Sequence, residues 1–475
     1  TVVDETLVFG SEIKAILKHE KVKRAVDLTA LDQLFTFPGT VSPTTFFKNI
    51  SSLKPGHFLK LKEGNVSVHE YWDLDYPLES EIAETRPEQY YIDRLEELFA
   101  KSVEYRLAAD VPVGFYLSGG VDSSLVGAMM SKVNPGTSYD SFSIHYPSKI
   151  DSQHDERVYQ RMMAKHLNST HHEIEFNWSS VADRLKDAIF YSEGALKESY
   201  NTCSLALSEK VSNTNIKVVL SGEGSDEFFG GYVGYRFDIQ RRNRSADDSL
   251  EEILEAQTRQ KLWGDPNFFY ETNHNEFRET TRAVYSDRMN DLHNGFDCLP
   301  RLGIDKSKLA GRHPFHKRSY LDLKLRLSDH LVSDHADRVN YANSVEGRYP
   351  FLDINLIEFV KTISPDVKLK NLIEKYILKQ MASKYLPPEI NNRQKFSWVA
   401  PSSSQLLKNK VEWIQDMLSP DAIKRQGYFD ANTIERLKKI YSREDFTLNI
   451  PYESDLLIVV LTFNIFLEVF DMPGL

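Results

Sequence analysis

Two stretches of this chain share one design. "FYLSGGVDSSLVGAMM" (residues 115–130) and "VVLSGEGSDEFFGGY" (218–232) each run from a short apolar strand through Leu-Ser-Gly into a loop that carries an aspartate. A short buried strand that hands over to a helix is the unit of a parallel α/β sheet. Parallel strands deliver the loops after them to one edge, where open α/β sheets bind ligands. The two loops, with Asp122 in the first and Asp226 in the second, are therefore expected to meet. The surrounding pattern agrees. "YDSFSIHY" (139–146) and "HHEIEF" (171–176) read as strands, with the helix "DERVYQRMMAKHL" between them. Ahead of the first loop, Ile92, Leu95, Leu98, Phe99 and Val103 recur at helical spacing from about Glu88. Beyond residue 237 the chain reads as mostly helical, as in "DDSLEEILEAQTRQKLW".

A strand-to-helix turn rich in Gly and Ser suits phosphate: glycine lets the backbone approach, and the amides that open the helix point at the anion. The spacing matches neither G-x-x-x-x-G-K-[ST] nor G-x-G-x-x-G. Without the P-loop lysine, chemistry other than γ-phosphoryl transfer is open. A carboxylate beside triphosphate is repelled by about 4 kcal/mol at ~4 Å and an effective dielectric of ~20. Asp122 therefore calls for a cation, and Mg²⁺ takes one or two carboxylates together with phosphate oxygens. Far downstream, Arg393 and Lys395 in "NNRQKFSW" supply positive charge that could be aimed at a phosphorus centre.

Other classes recede. The net charge of −11 gives no basic field for nucleic acid. No stretch reads G-x-S-x-G. Cys203 and Cys298 make neither a disulfide framework nor a Cys-rich zinc site, and fit a core role in a reducing, cytoplasmic setting. The longest apolar run, "LLIVVLTFNIFLEVF" (456–470), is short for a bilayer and carries Asn464 and Glu468, so a buried helix is expected. Residues 1–75 hold strand-like runs, among them "GHFLKLKEGNVSVHEYWDLD", a hairpin around Glu63-Gly64-Asn65. The polar "YPLESEIAETRPEQ" follows as a linker. The chain opens at Thr1 directly into strand and helix, so it is expected to begin inside a domain. The expected division is 1–75 and 76–475.

"LSGGVDSS" together with "LSGEGSDEFFGGY" resembles the ATP-pyrophosphatase (PP-loop) half of the asparagine synthetase family. "DRVNYANSVEGRYPFLD" (337–353) and "KYILKQMASKYLPPEINNRQK" (375–395) resemble later segments of that family, the second ending in its catalytic lysine. Residues 1–75, with "GSEIKAIL", "LKPGHFLKL" and "YW", resemble the tail of its Ntn-type glutaminase domain. The resemblance implies an α/β fold with a parallel sheet of the adenine nucleotide α-hydrolase type and a helical C-terminal part. It also implies a reaction: ATP converts a carboxylate to an acyl-adenylate with release of pyrophosphate, and ammonia then gives an amide and AMP. By similarity, Ser118, Gly119, Gly120, Asp122 and Ser123 form the pyrophosphate loop, with Leu117, Ser221 and Gly222 completing the nucleotide set. Asp122 and Asp226 would hold Mg²⁺, and Ile144 would lie near adenine through its backbone. Glu223 would face the substrate amine or attacking nitrogen, and Lys395 would stabilise the α-phosphate.

Glu223, where related β-lactam synthetases typically carry Tyr, favours an intermolecular amide-forming enzyme. The expected substrates are ATP, a carboxylate acceptor such as aspartate, and ammonia or glutamine. A homodimer is the oligomer considered, with no nucleic acid and no membrane. Gly194-Ala195 and Tyr341 depart from the family pattern at positions expected on the acceptor side. They keep open a sister amidotransferase acting on a sugar acid, peptide or natural-product carboxylate. A non-catalytic nucleotide-binding homologue is the third alternative.

Overall fold

The structure is a computed structural model and describes residues 1–82, 86–146, 156–241, 249–394, 400–448 and 453–475. The strands are β1 (Val2–Val3), β2 (Thr6–Leu7), β3 (His57–Lys62), β4 (Asn65–Glu70), β5 (Val113–Tyr116), β6 (Asp140–His145), β7 (Thr170–Glu175), β8 (Val218–Leu220) and β9 (Glu346–Arg348). The last five form one sheet in the order β7-β6-β5-β8-β9. All four of its pairings are parallel, with Phe115 opposite both Ser141 and Leu220. The α/β architecture expected from the strand pattern is therefore present.

Chain order explains where a ligand can sit. From β5 the chain winds outward to β6 and β7, then returns to the other side of β5 for β8 and β9. The order reverses between β5 and β8, and the crevice outside the carboxyl ends of these two strands is the switch point at which such sheets bind ligands. Both Leu-Ser-Gly loops open into it. The helix Val121–Val133 leaves this crevice with most of its length buried between the sheet and the helix Glu88–Leu107. Gly127 permits that approach, because a Cβ there would lie 2.6 Å from the Phe115 ring. In Glu88–Leu107, Ile92, Leu95, Phe99 and Val103 are buried as their spacing predicts, while Leu98 is half-buried.

A second apolar core joins the two ends of the chain. The helix Leu456–Val469 is buried along almost its whole length, as the run of apolar residues predicts. Its Phe466 packs against Phe46 (5.3 Å between centroids) and Phe47 (5.2 Å). Each such phenylalanine gains roughly 1.5–3 kcal/mol from burial. Glu193 adds a polar tie: it ends the helix Trp178–Ser192 in the left-handed conformation and accepts the amides of Ile13 (2.8 Å) and Lys14 (2.6 Å). Those amides open the helix Ile13–Ile16 and would otherwise lack partners. Among the described residues, no helix is long and apolar enough to cross a membrane.

Three local differences from the sequence reading have physical causes. The hairpin turn is the two residues Glu63 and Gly64, both at positive φ, with Asn65 already paired to Lys62. Glu346–Arg348, inside the quoted segment "DRVNYANSVEGRYPFLD" and not read as a strand from the sequence, is the edge strand β9. It joins the sheet by backbone pairing to β8, with no apolar side chain to announce it. The segment Leu323–Asp337 is a π-helix, a wider winding than its ordinary helical composition suggests.

Candidate active site

The loop after β5 is closed by its own hydroxyls. Leu117 continues the strand, its amide donating to Phe142 O at 2.9 Å. The Ser118 hydroxyl accepts the Gly120 amide (3.3 Å) and lies 2.9 Å from the Ser123 hydroxyl. Ser123 in turn accepts the Ser118 amide (3.1 Å) and donates to Gly120 O (3.3 Å). Gly119 sits at φ +79°, and a Cβ there would fall 2.9 Å from Tyr159 Cβ, so the turn admits glycine alone. Arg393 reaches this loop from far along the chain. It donates to Gly119 O (3.1 Å), pairs with Glu156 and lies over the Tyr159 ring. Its partner in the sequence argument, Lys395, lies outside the described residues.

The loop after β8 is built from carboxylates. The Ser221 amide donates to Arg348 O on β9 (2.9 Å), which fixes where the loop leaves the sheet. A Cβ on Gly222 would lie 3.0 Å from Asp122 Cβ and 3.1 Å from the Ser123 amide nitrogen, so the two loops touch here. Ser225 donates to Asp122 Oδ1 at 2.7 Å. The two aspartates then converge on one cation, Lys375 Nζ, which lies 2.5 Å from Asp122 Oδ2 and 2.7 Å from Asp226 Oδ1. Burial alone would lower the lysine's pKa, but the two carboxylates override it and hold the ammonium well above its ordinary value. Gly231 leaves room for the group, since a Cβ there would fall 1.7 Å from Asp226 Oδ1 and 2.3 Å from Lys375 Cε. Beneath, Glu227 is buried and its pKa is pushed up to about 8, chiefly by desolvation and then by the charge of Asp226. The Tyr232 hydroxyl, donating to it at 2.6 Å, works the other way.

This donor set fits a hard divalent cation: two carboxylates aimed at one point that already holds a positive charge, beside a loop of amides suited to phosphate. Lys375 stands at that point, so a metal bound by both aspartates requires the ammonium to move off at least one of them.

Comparison with known proteins now bears on the same residues. A profile of the family described as asparagine synthase matches residues 94–467. The chain belongs to the asparagine synthase family. A second profile, of a glutamine amidotransferase domain, matches residues 1–72. Among relatives, the amidase chyE of Penicillium rubens is 30% identical across 94% of this chain and 72% of that protein. The amidase chry2 of Gibberella zeae is 29% identical across 84% of this chain and 65% of that protein. Asparagine synthetase 3 of Bacillus subtilis is 26% identical across 87% of this chain and 65% of that protein. The chain thus spans about two thirds of the length of these relatives. Membership makes it one of a family of ATP-dependent ligases and amidotransferases.

Within this asparagine synthase fold the remaining expected residues take definite places. Glu223 lies at the same sheet edge, half-buried, just past β8. Its charge acts on Glu227 and on Tyr349, the residue that follows β9. Ile144 is on β6, and its carbonyl accepts the Gln160 side chain at 3.0 Å. Tyr341 is half-exposed and raises its own pKa by burial and by the charge of Asp337. Asp337 also accepts the Tyr349 hydroxyl at 2.6 Å. Gly194 is buried against Phe46, where a Cβ would lie 2.7 Å from the ring, so the departure there makes room for the N-terminal segment. Cys203 and Cys298 are buried in the core; desolvation pushes the Cys203 thiol up to about 12 and Cys298 upward too, which suits neither to act as a nucleophile. Lys375 is the candidate site residue that the loop motifs do not reveal. It stands inside the quoted segment "KYILKQMASKYLPPEINNRQK", and the one signal for it is electrostatic: two aspartates delivered by loops after adjacent strands need a cation.

Proposed function

We propose that the chain catalyses ATP-dependent amide formation by way of an acyl-adenylate. The observation that carries this reading is the contact between the two loops, which brings Asp122 and Asp226 to one cation, Lys375, at the start of the helix that follows the Ser118–Gly119–Gly120 turn. A substrate carboxylate oxygen attacks the α-phosphorus of ATP, and the bond from that phosphorus to the pyrophosphate oxygen breaks. The amides that open the helix Val121–Val133 and Lys375 are assigned to the charge that collects on the departing pyrophosphate. Mg²⁺, held by Asp122 and Asp226, supplies further neutralisation of phosphate charge when bound. Lys395 is assigned to the α-phosphate. Ammonia then attacks the acyl carbon and AMP leaves; Glu223 is assigned to orient that nitrogen and take its proton. A glutamine amidotransferase profile matches residues 1–72, and glutamine is the proposed source of the ammonia.

Aspartate is the first acceptor to test, as in the asparagine synthetase relatives. A second reading, amidation of another carboxylate, is favoured by the two amidases, which match at 30% and 29% identity against 26% for the bacterial synthetase. The deciding experiment incubates the protein with Mg-ATP, ammonium and aspartate and resolves all products. AMP, pyrophosphate and asparagine in equal amounts establish the synthetase reading. AMP that forms only with a different carboxylate establishes the second. ADP with phosphate contradicts both.

A further inference from the structure

Behind the second aspartate loop lies a buried basic group that the proposed reaction does not use. Lys368 closes the helix Pro365–Lys368 and is 0% exposed. Its ammonium has three donors, and Nζ has no hydrogen-bond partner among the described residues. Nζ lies 4.9 Å from the Phe315 ring centroid and 5.6 Å from that of Tyr76. His316, in the helix Pro314–Asp322, is 1% exposed and stacks on the same Tyr76 ring at 4.2 Å. Neither of its ring nitrogens has a partner among the described residues.

Neither Lys368 Nζ nor a His316 ring nitrogen reaches an acceptor among the described residues. The Tyr76 hydroxyl is engaged with Ser319 Oγ at 2.6 Å, and His313 Nδ1 accepts the Phe315 amide at 3.2 Å. Among the described residues no carboxylate offsets the burial of Lys368, whose pKa is lowered to about 7 by desolvation. His316 is also held low by desolvation, then by the positive charges of Lys368 and His313. Aromatic faces attract a desolvated ammonium but take none of its hydrogen bonds. A buried donor left unpaired keeps its full desolvation cost.

We propose that Lys368 and His316 bind a small monovalent anion of the halide class beside the Tyr76 ring, whose positive edge, not its face, suits an anion. One negative charge balances one ammonium, and a single spherical acceptor can serve both the amine and an imidazole N–H. A divalent anion would leave net charge in a dry site, and the near-complete burial of both side chains admits only a small ligand. The site is linked to the reaction edge. The Phe315 ring beside Lys368 also closes on Gly230, where a Cβ would lie 2.6 Å from it, and Ser319 donates to Glu227 O at 2.7 Å.

Crystals of the protein grown in sodium bromide test this directly. An anomalous peak in contact with Lys368 Nζ is the expected result, and its absence overturns the proposal. A solution measurement stands beside it: melting temperature in chloride against gluconate at equal ionic strength. At chloride ten times its dissociation constant, the wild-type protein should gain about 1–2 °C. Lys368→Met, which removes the donors and keeps the bulk, should lose that gain while melting no lower than wild type in gluconate. Equal chloride responses in the two proteins contradict the proposal. If Lys368→Met does not fold, His316→Phe takes its place in the same comparison, and the bromide peak in the wild-type protein still decides.

Discussion

The loop after β5 is tied together by hydroxyls, the loop after β8 by carboxylates. In the first, Ser118 and Ser123 hold each other and the Gly120 peptide, which shapes a turn of backbone amides with little fixed charge. In the second, desolvation and then the charge of Asp226 push buried Glu227 up to about 8, while Asp226 joins Asp122 in holding Lys375 firmly protonated. The same Leu-Ser-Gly start thus serves two purposes. One loop receives an anion; the other gathers the charge that holds a cation. Asp122 belongs to the first loop in sequence and to the second in electrostatics, and the contact at Gly222 makes that possible.

Substitutions can break this division of labour. The largest effect is expected for Asp122→Ala and Asp226→Ala, each lowering kcat for pyrophosphate release on the order of 10³-fold with the fold retained by circular dichroism. Unequal effects, with one variant near wild type, would show that the loops do not share one cation. Lys375→Met should follow, with about a 10²-fold loss in kcat. Lys375→Arg should not restore activity, because the space beside Gly231 is filled by Asp226 and the lysine stem. Gly119→Ala imposes a left-handed residue at a crowded turn and should raise KM for ATP about tenfold, since ~1–2 kcal/mol of strain falls on the anion-receiving loop.

The smallest effect concerns stability. Glu227 has a folded-state pKa of about 8 against an ordinary 4.5, so the folded state binds its proton more tightly than the unfolded chain does. That contribution to stability is complete below pH 4.5 and is lost as pH rises toward 8. Glu227→Gln keeps an acceptor for the Tyr232 hydroxyl and cannot ionise. Its stability, followed by urea unfolding from pH 5 to 8, should fall less steeply than wild type, by about 1 kcal/mol per pH unit at most. Parallel curves would show that Glu227 is not the group that titrates.

The elements that frame the loops were legible because they are apolar. The strands of "FYLSGG", "SFSIHY" and "VVLSG" carry side chains that only a buried sheet explains, and Gly-Ser turns punctuate them. Glu346–Arg348 carries none, and backbone pairing alone makes it a strand. Asp122 and Asp226 were legible from their loops, and their meeting followed from parallel strand geometry. Lys375 was not, because a lysine after Glu374 reads as a solvated charge until the fold brings it to two carboxylates. Arg393 was legible as a charge, but its contact with Gly119 O depends on tertiary folding. Nothing in the composition of residues 323–337 distinguishes a π-helix from an α-helix, since both bury one face of the same residues.

The account rests on cleavage at the α-phosphorus, and isotope transfer tests it most directly. Aspartate, or whichever carboxylate supports turnover, is supplied with both carboxylate oxygens as ¹⁸O, together with Mg-ATP and ammonium. The products are then resolved by ³¹P NMR and mass spectrometry. The account predicts one ¹⁸O in the phosphoryl group of AMP and none in pyrophosphate, because the acceptor oxygen bonds to the α-phosphorus and stays with it when the amide forms. ¹⁸O in inorganic phosphate, with ADP as the nucleotide product, would contradict it.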